Sequence, residues 1–322
     1  MTSINTNIAA MAALQTLQAT NRSMDATQNR ISTGYRVAEA KDNAAYWSIA
    51  TTMRSDNKAL SAVEDSLGLG AAKVDIAYTA LESAIDVVDE IKAKLVAASE
   101  PGVDKTKIQS EIGELKKQLQ SIASSASFSG ENWLQNDGVG AAGNKDIVAS
   151  FNRDSNGAVS IGTITVDVTA MTLIGTVNEG TGVLTKNYNA DGISTPNGDN
   201  TDYVLLDAGA IGTPATGREI ELDGGTTPGE IGAMIRVVDA ILKDMTNVAA
   251  NLGAAKSRIE LQQNFVSNLT DSISSGIGAL VDADMTEEST RLKALQTQQQ
   301  LGVQALSIAN SSSQAIMQLF QN

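Results

Sequence analysis

Apolar residues recur at every seventh position over two long stretches of this chain. Between residues 43 and 98 the first ladder consists of Tyr46, Met53, Leu60, Leu67, Val74, Leu81, Val88 and Leu95. The second consists of Ile231, Val238, Met245, Leu252, Ile259, Val266, Ile273 and Leu280. A strict seven-residue repeat drifts around a straight helix, so it favours helices that supercoil around a partner. The pattern predicts two helices of about fifty residues that pack antiparallel to each other.

Other apolar rows support a bundle. Each ladder is accompanied by a second row, which is Ile49, Val63, Ala77, Ala84 and Ile91 in the first and Met234, Ile241, Val248, Ala255 and Leu269 in the second. A shorter row, with steps of four and three, consists of Ile108, Ile112, Leu115, Leu119 and Ile122. Three such helices can close an up-down bundle. The alternative is a compact all-α domain, but helices there usually have about 8–20 residues.

The composition changes between residues 137 and 229. This stretch contains 16 of the 27 glycines, three of the four prolines and only four basic residues. Alternating apolar residues occur at Val159, Ile161, Ile164, Val166 and Val168, and turn pairs occur at Asp137-Gly138, Asn156-Gly157, Asp191-Gly192, Asn197-Gly198 and Asp223-Gly224. Alternation between turn signals predicts a small, mostly β domain. A disordered linker is the alternative.

The two ends of the chain carry almost no charge. Residues 1–21 and 294–322 contain none, although solvated helices usually have charged polar faces. Their apolar positions are Ile4, Ile8, Met11, Leu14, Leu17, Met24, Ile31, Leu292, Leu295, Val303, Leu306, Ile316 and Phe320. We expect the ends to form paired helices that self-associate, and a head-to-tail contact that does not close produces a helical filament. Two low-complexity tails that never order are the alternative.

These patterns predict a fold class that is mainly α with a β-rich insertion. The predicted fold is a long antiparallel coiled-coil or helical-bundle rod with paired terminal helices and a small β domain between the two ladders. The segments are residues 1–42 and 285–322 for the terminal helices, 43–136 and 230–284 for the rod, and 137–229 for the insertion. We expect Gly34 to end the first helix, Asp42 or Asn43 to cap the second, and Asp104 to cap the third.

Composition excludes several classes of chemistry. The 322 residues include no Cys and no His, which excludes disulfides, imidazole bases and the usual zinc sites. The acidic segment from Asp282 fails as a calcium loop, because Glu287 stands where glycine is required and Lys293 where a ligand is required. We therefore expect no catalytic, metal or cofactor-binding residues and no cofactor.

Charge and hydropathy indicate which partners to expect. A net charge of −14 argues against nucleic acid, and no run of 18 apolar residues predicts a membrane span. The first cation is Arg22, so we expect no secretory signal peptide.

Several motifs resemble those of bacterial flagellins. The N-terminal matches are Ser3-Ile4-Asn5-Thr6-Asn7, Ile31-Ser32-Thr33-Gly34-Tyr35-Arg36-Val37 and Ala40-Lys41-Asp42-Asn43-Ala44-Ala45. The C-terminal matches are Asp282-Ala283-Asp284-Met285, Leu295-Gln296 and Ala305-Leu306-Ser307-Ile308-Ala309-Asn310. The resemblance covers residues 1–136 and 230–322, and its motifs occur in the order that the family has.

The resemblance implies a non-enzymatic structural subunit of the extracellular flagellar filament. Paired terminal helices would form an inner tube, the rod an outer tube, and the insertion the surface. Partners would be copies of the chain, other flagellins, the filament cap, hook-junction proteins, an export chaperone and the type III export apparatus, through which the subunit passes unfolded. The alternative is a hook–filament junction protein with the same terminal helices.

One segment departs from the pattern of enteric flagellins at the site where an innate immune receptor binds. That pattern is a basic residue, a hydrophobe, Arg, Glu and Leu. Here Glu90 replaces the base, Lys92 stands at the Arg position and Lys94 replaces Leu. We therefore expect altered receptor recognition.

Overall fold

A computed structural model of the chain describes residues 7–136, 143–176, 179–190, 202–207 and 217–320. Its α-helices are α1 (Ile8–Thr33), α2 (Ala44–Ala98), α3 (Lys105–Ser125), α4 (Pro228–Val281) and α5 (Met285–Phe320). Its strands are β1 (Ser127–Phe128), β2 (Glu131–Asn132), β3 (Gln135–Asn136), β4 (Asn144–Arg153), β5 (Val159–Asp167), β6 (Ile174–Gly175), β7 (Tyr188–Asn189), β8 (Asp202–Val204) and β9 (Arg218–Glu219). Long helices with a β-rich middle region confirm the predicted fold class.

The chain folds into two compact units. The first comprises Met1–Lys58 with Leu269–Asn322, and the second is Ala59–Asn268. Helices α2 and α4 contribute residues to both units. The described strands all belong to the second unit, so this division differs from the five segments predicted from composition, whose boundaries remain predictions.

The predicted helix ends are observed. Gly34 follows α1 with a φ angle of 75°, a left-handed conformation that glycine adopts without strain. Asn43 caps α2, because its Oδ1 accepts a hydrogen bond of 3.1 Å from the backbone N–H of Tyr46. Asp42 instead accepts two backbone hydrogen bonds within the preceding loop. Asp104 caps α3 in the same way as Asn43 caps α2.

The core of the second unit consists mainly of the two ladders. The side chains of Leu60, Leu67, Val74, Leu81, Val88, Leu95, Ile231, Val238, Met245, Leu252, Ile259 and Val266 are buried, and so are Ala77, Ala84 and Ile91 of the accompanying row. Ion pairs between the helices flank this core, for example Lys256 with Asp75 at 2.6 Å. Helices α2 and α4 are antiparallel, because Lys92 near the end of α2 pairs with Asp239 near the start of α4.

The first unit departs from the ladder prediction. Its buried core consists of Val37, Ala50, Ile277 and Val281, while Met53, Ile273 and Leu280 are only partly buried against it. Tyr46 and Ile49, which the pattern placed on the buried face, are exposed. The prediction was wrong there because Val37, from the loop between α1 and α2, enters the core and a different face of α2 turns inward.

Helix α3 buries an unexpected cation. Ile108, Ile112 and Leu119 are buried as predicted, but the side chain of Lys116 is only 7% exposed. Its Nζ atom donates to Glu219 Oε1 at 2.8 Å and to the carbonyl oxygen of Ile220 at 2.6 Å. A buried charge is tolerated only when it is paired and hydrogen-bonded, and these two acceptors supply that.

The strands that the structure describes form four small sheets. Strands β1 and β2 form an antiparallel hairpin, β3 pairs parallel to β6, and β4 pairs antiparallel to β5. Strands β4 and β5 are joined by the predicted Asn156-Gly157 turn. In the last sheet β8 lies between β7, to which it is antiparallel, and β9, to which it is parallel.

Strand β5 buries one face only. Ile164 and Val166 are buried, as is Val168 just after the strand, whereas Val159 and Ile161 are exposed. Successive side chains in a strand point to opposite faces, and the apolar pattern changes phase between Ile161 and Ile164. The alternating apolar residues noted in the sequence therefore lie on two faces of the strand, and only the face of Ile164 and Val166 is buried.

The described strands pack against the helices of the second unit. Ile147 of β4 is buried over Gly70 of α2, where an added Cβ would lie 2.6 Å from the Ile147 Cγ2 atom. Gln262 of α4 donates to the carbonyl oxygen of Ala149 at 2.9 Å. Asp244 of α4 accepts hydrogen bonds from Lys186 and from the hydroxyl of Tyr188.

Some predicted features lie outside the described residues. These are Ile4, the side chains of Ile316 and Phe320, and the turn pairs at 137–138, 191–192 and 197–198. Among the helices that the structure does describe, none is long and apolar enough to cross a membrane.

Candidate self-assembly surface

Helices α1 and α5 pack against each other in antiparallel orientation. The side chain of Asn7, which caps the start of α1, donates to the carbonyl oxygen of Ala309 near the end of α5 at 2.9 Å. Further along, Gln299 donates to Asn21 Oδ1 at 3.0 Å. Residues later in α1 thus contact residues earlier in α5.

The interface between these helices is thin. Thr20 and Thr27 are buried within it. Gly302 allows a close approach, because an added Cβ there would lie 2.9 Å from the Cδ1 atom of Leu17. The apolar side chains between the helices are only partly buried, and they are Leu17, Met24, Ile31, Leu292, Leu295 and Leu306. Two helices can cover one face of each other and leave the remaining faces to solvent.

Those remaining faces carry large apolar side chains near the uncharged ends. Six of them have exposed fractions between 44% and 69%, and they are Ile8, Met11, Leu14, Leu301, Val303 and Ile308. We call these six residues the distal apolar surface. Ile8, Met11, Leu14 and Val303 are among the residues predicted for self-assembly, and that role stays a prediction; within one chain their side chains are exposed.

Sequence reasoning missed two members of this surface. Leu301 and Ile308 were not among the predicted seam positions, yet both are exposed. Their spacing of seven residues was the available signal, because it places both side chains on the same face of a helix.

The charged residues of the pair lie at its other end. Arg30 of α1 and Glu288 of α5 form an ion pair at 3.1 Å, and Arg291 approaches the same carboxylate at 3.4 Å. The Glu288 side chain is 6% exposed. The helix pair is therefore joined by an ion pair at one end and exposes apolar side chains at the other.

The chain segments next to this charged end are hydrogen-bonded to each other. The carbonyl oxygen of Val281 accepts from the backbone N–H groups of Arg36 and Val37, at 2.7 and 3.2 Å. Asp284 caps α5, and the hydrogen bond from the backbone N–H of Glu287 is the largest cause of a pKa below the usual value for that carboxyl. The first contact joins the loop after α1 to the end of α4, and the second stabilises the start of α5.

The residues of the altered receptor segment lie on α2. Glu90 is exposed, Lys92 forms an ion pair with Asp239, and Lys94 forms one with Glu111 of α3 at 2.6 Å. The hydrogen bond to Glu111 raises the pKa of Lys94 above its usual value. Both lysines are thus engaged within the chain.

Both terminal regions of the chain match known protein families. Residues 4–138 match the bacterial flagellin N-terminal helical region, and residues 235–320 match the bacterial flagellin C-terminal helical region. The chain is 62% identical to Flagellin C of Rhizobium meliloti (strain 1021), with 100% of both chains covered. The chain belongs to the bacterial flagellins.

Other relatives agree with this assignment. The chain is 49% identical to Flagellin A of Rhizobium meliloti (strain 1021) and 46% identical to Flagellin of Brucella melitensis biotype 1, again with 100% of both chains covered. A solved structure, Xanthomonas campestris FlgL, is 14% identical with a TM-score of 0.33 and covers 69% of this chain and 99% of its own, which is too weak a likeness to carry an argument.

Family membership decides the general function. This flagellin is a structural subunit that self-assembles, with other flagellins, into the extracellular flagellar filament used for motility, and it is not an enzyme. The predicted resemblance is confirmed. Identity to flagellins over the whole length does not favour the junction-protein alternative.

Proposed function

We propose that α1 and α5 together provide the surface through which subunits pack in the filament, with the distal apolar surface at its centre. The observation that carries the proposal is that six large apolar side chains are exposed in stretches that contain no charge. The partly buried positions of the pair, from Leu17 to Ile31 and from Leu292 to Leu306, hold the two helices that carry this surface together.

The energetic argument is that neighbouring subunits supply the missing burial. Fully burying one large aliphatic side chain contributes roughly 1.5–3 kcal/mol. Exposed apolar patches of this kind on soluble proteins usually mark interaction sites. A contact between different faces of successive copies does not close, and its product is an open helical filament. The rod ladders would pack around this inner layer as an outer one, and the insertion would lie outside both.

A charge placed in the distal apolar surface tests the proposal. Ile308→Asp should abolish elongation from filament seeds, because the carboxylate would be buried between subunits without a partner. The melting temperature of the monomer should not change, because Ile308 is 68% exposed within the chain. Elongation is measured by sedimentation and negative-stain microscopy.

Ser289→Asp is the matched control. Ser289 is exposed on the same helix but lies among the charged residues at the other end. That variant should elongate like the parent. Growth of Ile308→Asp filaments at the parental rate would show that the distal apolar surface does not lie between subunits.

We further propose the partners that such a subunit needs before and during assembly. An export chaperone would cover the distal apolar surface, the type III export apparatus would pass the chain unfolded, and the filament cap and hook-junction proteins would contact the first and last copies. The exposed apolar side chains support the chaperone proposal, since they would promote premature association. Less chaperone should co-purify with Leu301→Asp than with Ser289→Asp, and equal amounts would contradict the chaperone proposal.

A further inference from the structure

We propose that the ion cluster of Arg30, Glu288 and Arg291, in which the Glu288 carboxylate is buried, sets the register in which α1 and α5 pair, so that Glu288 is a positioning residue for filament assembly. This inference rests on the proposed function of the distal apolar surface. The cluster lies at the opposite end of the helix pair from that surface and is not part of it.

The cluster connects the two helices through one carboxylate oxygen. Oε1 of Glu288 accepts from Arg30 Nη1 at 3.1 Å and lies 3.4 Å from Arg291 Nη1. Oε2 is buried and has no hydrogen-bond partner among the residues that the structure describes. Within those same residues, Arg30–Glu288 is the one ion pair that joins α1 to α5.

Such a cluster is poorly explained as a source of stability. Removing a carboxylate from water is costly, and a buried oxygen without a donor recovers little of that cost. Buried ionic groups are better attested as devices that specify register, as a single buried polar residue does in coiled coils.

The rest of the interface specifies the register weakly. Its buried residues are two threonines, Thr20 and Thr27, and its leucines are only partly buried. A slip by one helical turn of about 5.4 Å would break two part-buried hydrogen bonds and would bring Gln298 or Leu306 opposite Leu17 in place of Gly302. The same slip would separate Arg30 from Glu288 and leave the buried carboxylate with Arg291 of its own helix, at 3.4 Å, as its remaining cation, which is a larger penalty.

The register matters because the distal apolar surface is built from both helices. The hydrogen bond from Asn7 to Ala309 places Ile8 of α1 level with Ile308 of α5. A slip by one turn would displace these side chains relative to each other and disrupt the surface that a neighbouring subunit must match. The ion cluster thus acts on assembly at a distance, through the helix pair.

Engineered cysteines can report the register directly, because the chain contains no Cys. A Cβ built at Gly302 lies 3.9 Å from the Cβ of Leu17, and disulfides form at Cβ separations of about 3.5–4.5 Å. The Leu17→Cys/Gly302→Cys variant should therefore cross-link in the native register. Leu17→Cys combined with Gln298→Cys or with Leu306→Cys reports a slip of one turn in either direction.

The test adds Glu288→Gln to each full-length cysteine variant, in seeded filaments. We expect less native cross-linking, more slipped cross-linking, and elongation that is slower on the order of tenfold, as for other coupled residues in contact. Arg30→Gln should have the same effects. In the double variant the elongation rate should fall by less than the product of the two single reductions. Glu287→Gln is the matched control, since Glu287 is 66% exposed and pairs with Arg291 but not with α1.

Parental cross-linking and elongation in both Glu288→Gln and Arg30→Gln would overturn the register proposal, even while Ile308→Asp still blocks assembly and so supports the assembly surface. Normal elongation of Ile308→Asp would overturn the assembly surface instead. Cross-linking alone would then still show whether Glu288 sets the register.

Discussion

Gly68 and Gly70 are two residues apart in α2, and the structure predicts opposite effects when each is replaced by alanine. The helix passes through both positions without interruption. A Cβ at Gly68 would meet nothing within 4 Å, whereas a Cβ at Gly70 would lie 2.6 and 2.8 Å from the Cγ2 and Cδ1 atoms of Ile147. The pair therefore separates helix propensity from tertiary packing.

The magnitudes follow from those distances. Alanine is favoured over glycine inside a helix by roughly 0.5–1 kcal/mol, so Gly68→Ala should stabilise the protein by about that amount. Gly70→Ala gains the same helix-propensity stabilisation, but its methyl group overfills a packed site, which typically costs about 1–3 kcal/mol. Ile147 is β-branched and stiff at its first side-chain torsion, so its Cγ2 cannot easily rotate away. We expect net destabilisation of up to about 2 kcal/mol.

Thermal unfolding of the monomeric variants, followed by circular dichroism, measures the difference. For a unit of this size, each kcal/mol shifts the melting temperature by about 2–4 °C. Ile147→Ala alone should be destabilising by about 2–5 kcal/mol, but less so in the Gly70→Ala background, where the new methyl group occupies part of the space. If Gly70→Ala raised the melting temperature as much as Gly68→Ala, the packing of Ile147 on α2 would be refuted.

Three further predictions concern the second unit. Leu81→Ala and Leu252→Ala should each cost about 2–5 kcal/mol in urea unfolding, because both side chains are fully buried, and near-parental stability would contradict the ladder assignment. The hydrogen-bonded ion pair with Lys73 of α2 holds the pKa of Glu131 below its usual value. The stabilisation from this pair is therefore present above the usual pKa of a glutamate and is lost as the pH falls through the lowered pKa. Glu131→Gln should therefore destabilise the protein at pH 6 more than at pH 3, and an equal effect at both would exclude this linkage. Because of Glu90 and Lys94, signalling through the flagellin receptor should be weak in a cell reporter assay, and potency equal to an enteric flagellin would contradict that expectation.

The sequence was sufficient for features that arise from local geometry. The seven-residue period identified the buried face of α2 from Leu60 to Leu95, because helical periodicity alone places those side chains on one side. Gly34, Asn43 and Asp104 marked helix ends, because capping depends on residues within one turn. The motifs at the two ends of the chain identified the family.

The tertiary structure decided which partner covers each face. Periodicity shows that a face will be buried but not what buries it, so Tyr46 and Ile49 were wrongly placed in the core that Val37 helps to fill. Lys116 is buried only because acceptors about a hundred residues later reach its ammonium group. Glu288 looked like part of an acidic segment, and only the approach of Arg30 from the other end of the chain gives its buried carboxylate an ion-pair partner on α1. Such contacts between distant segments leave no periodic signal, because they depend on the three-dimensional path of the chain and not on its local geometry.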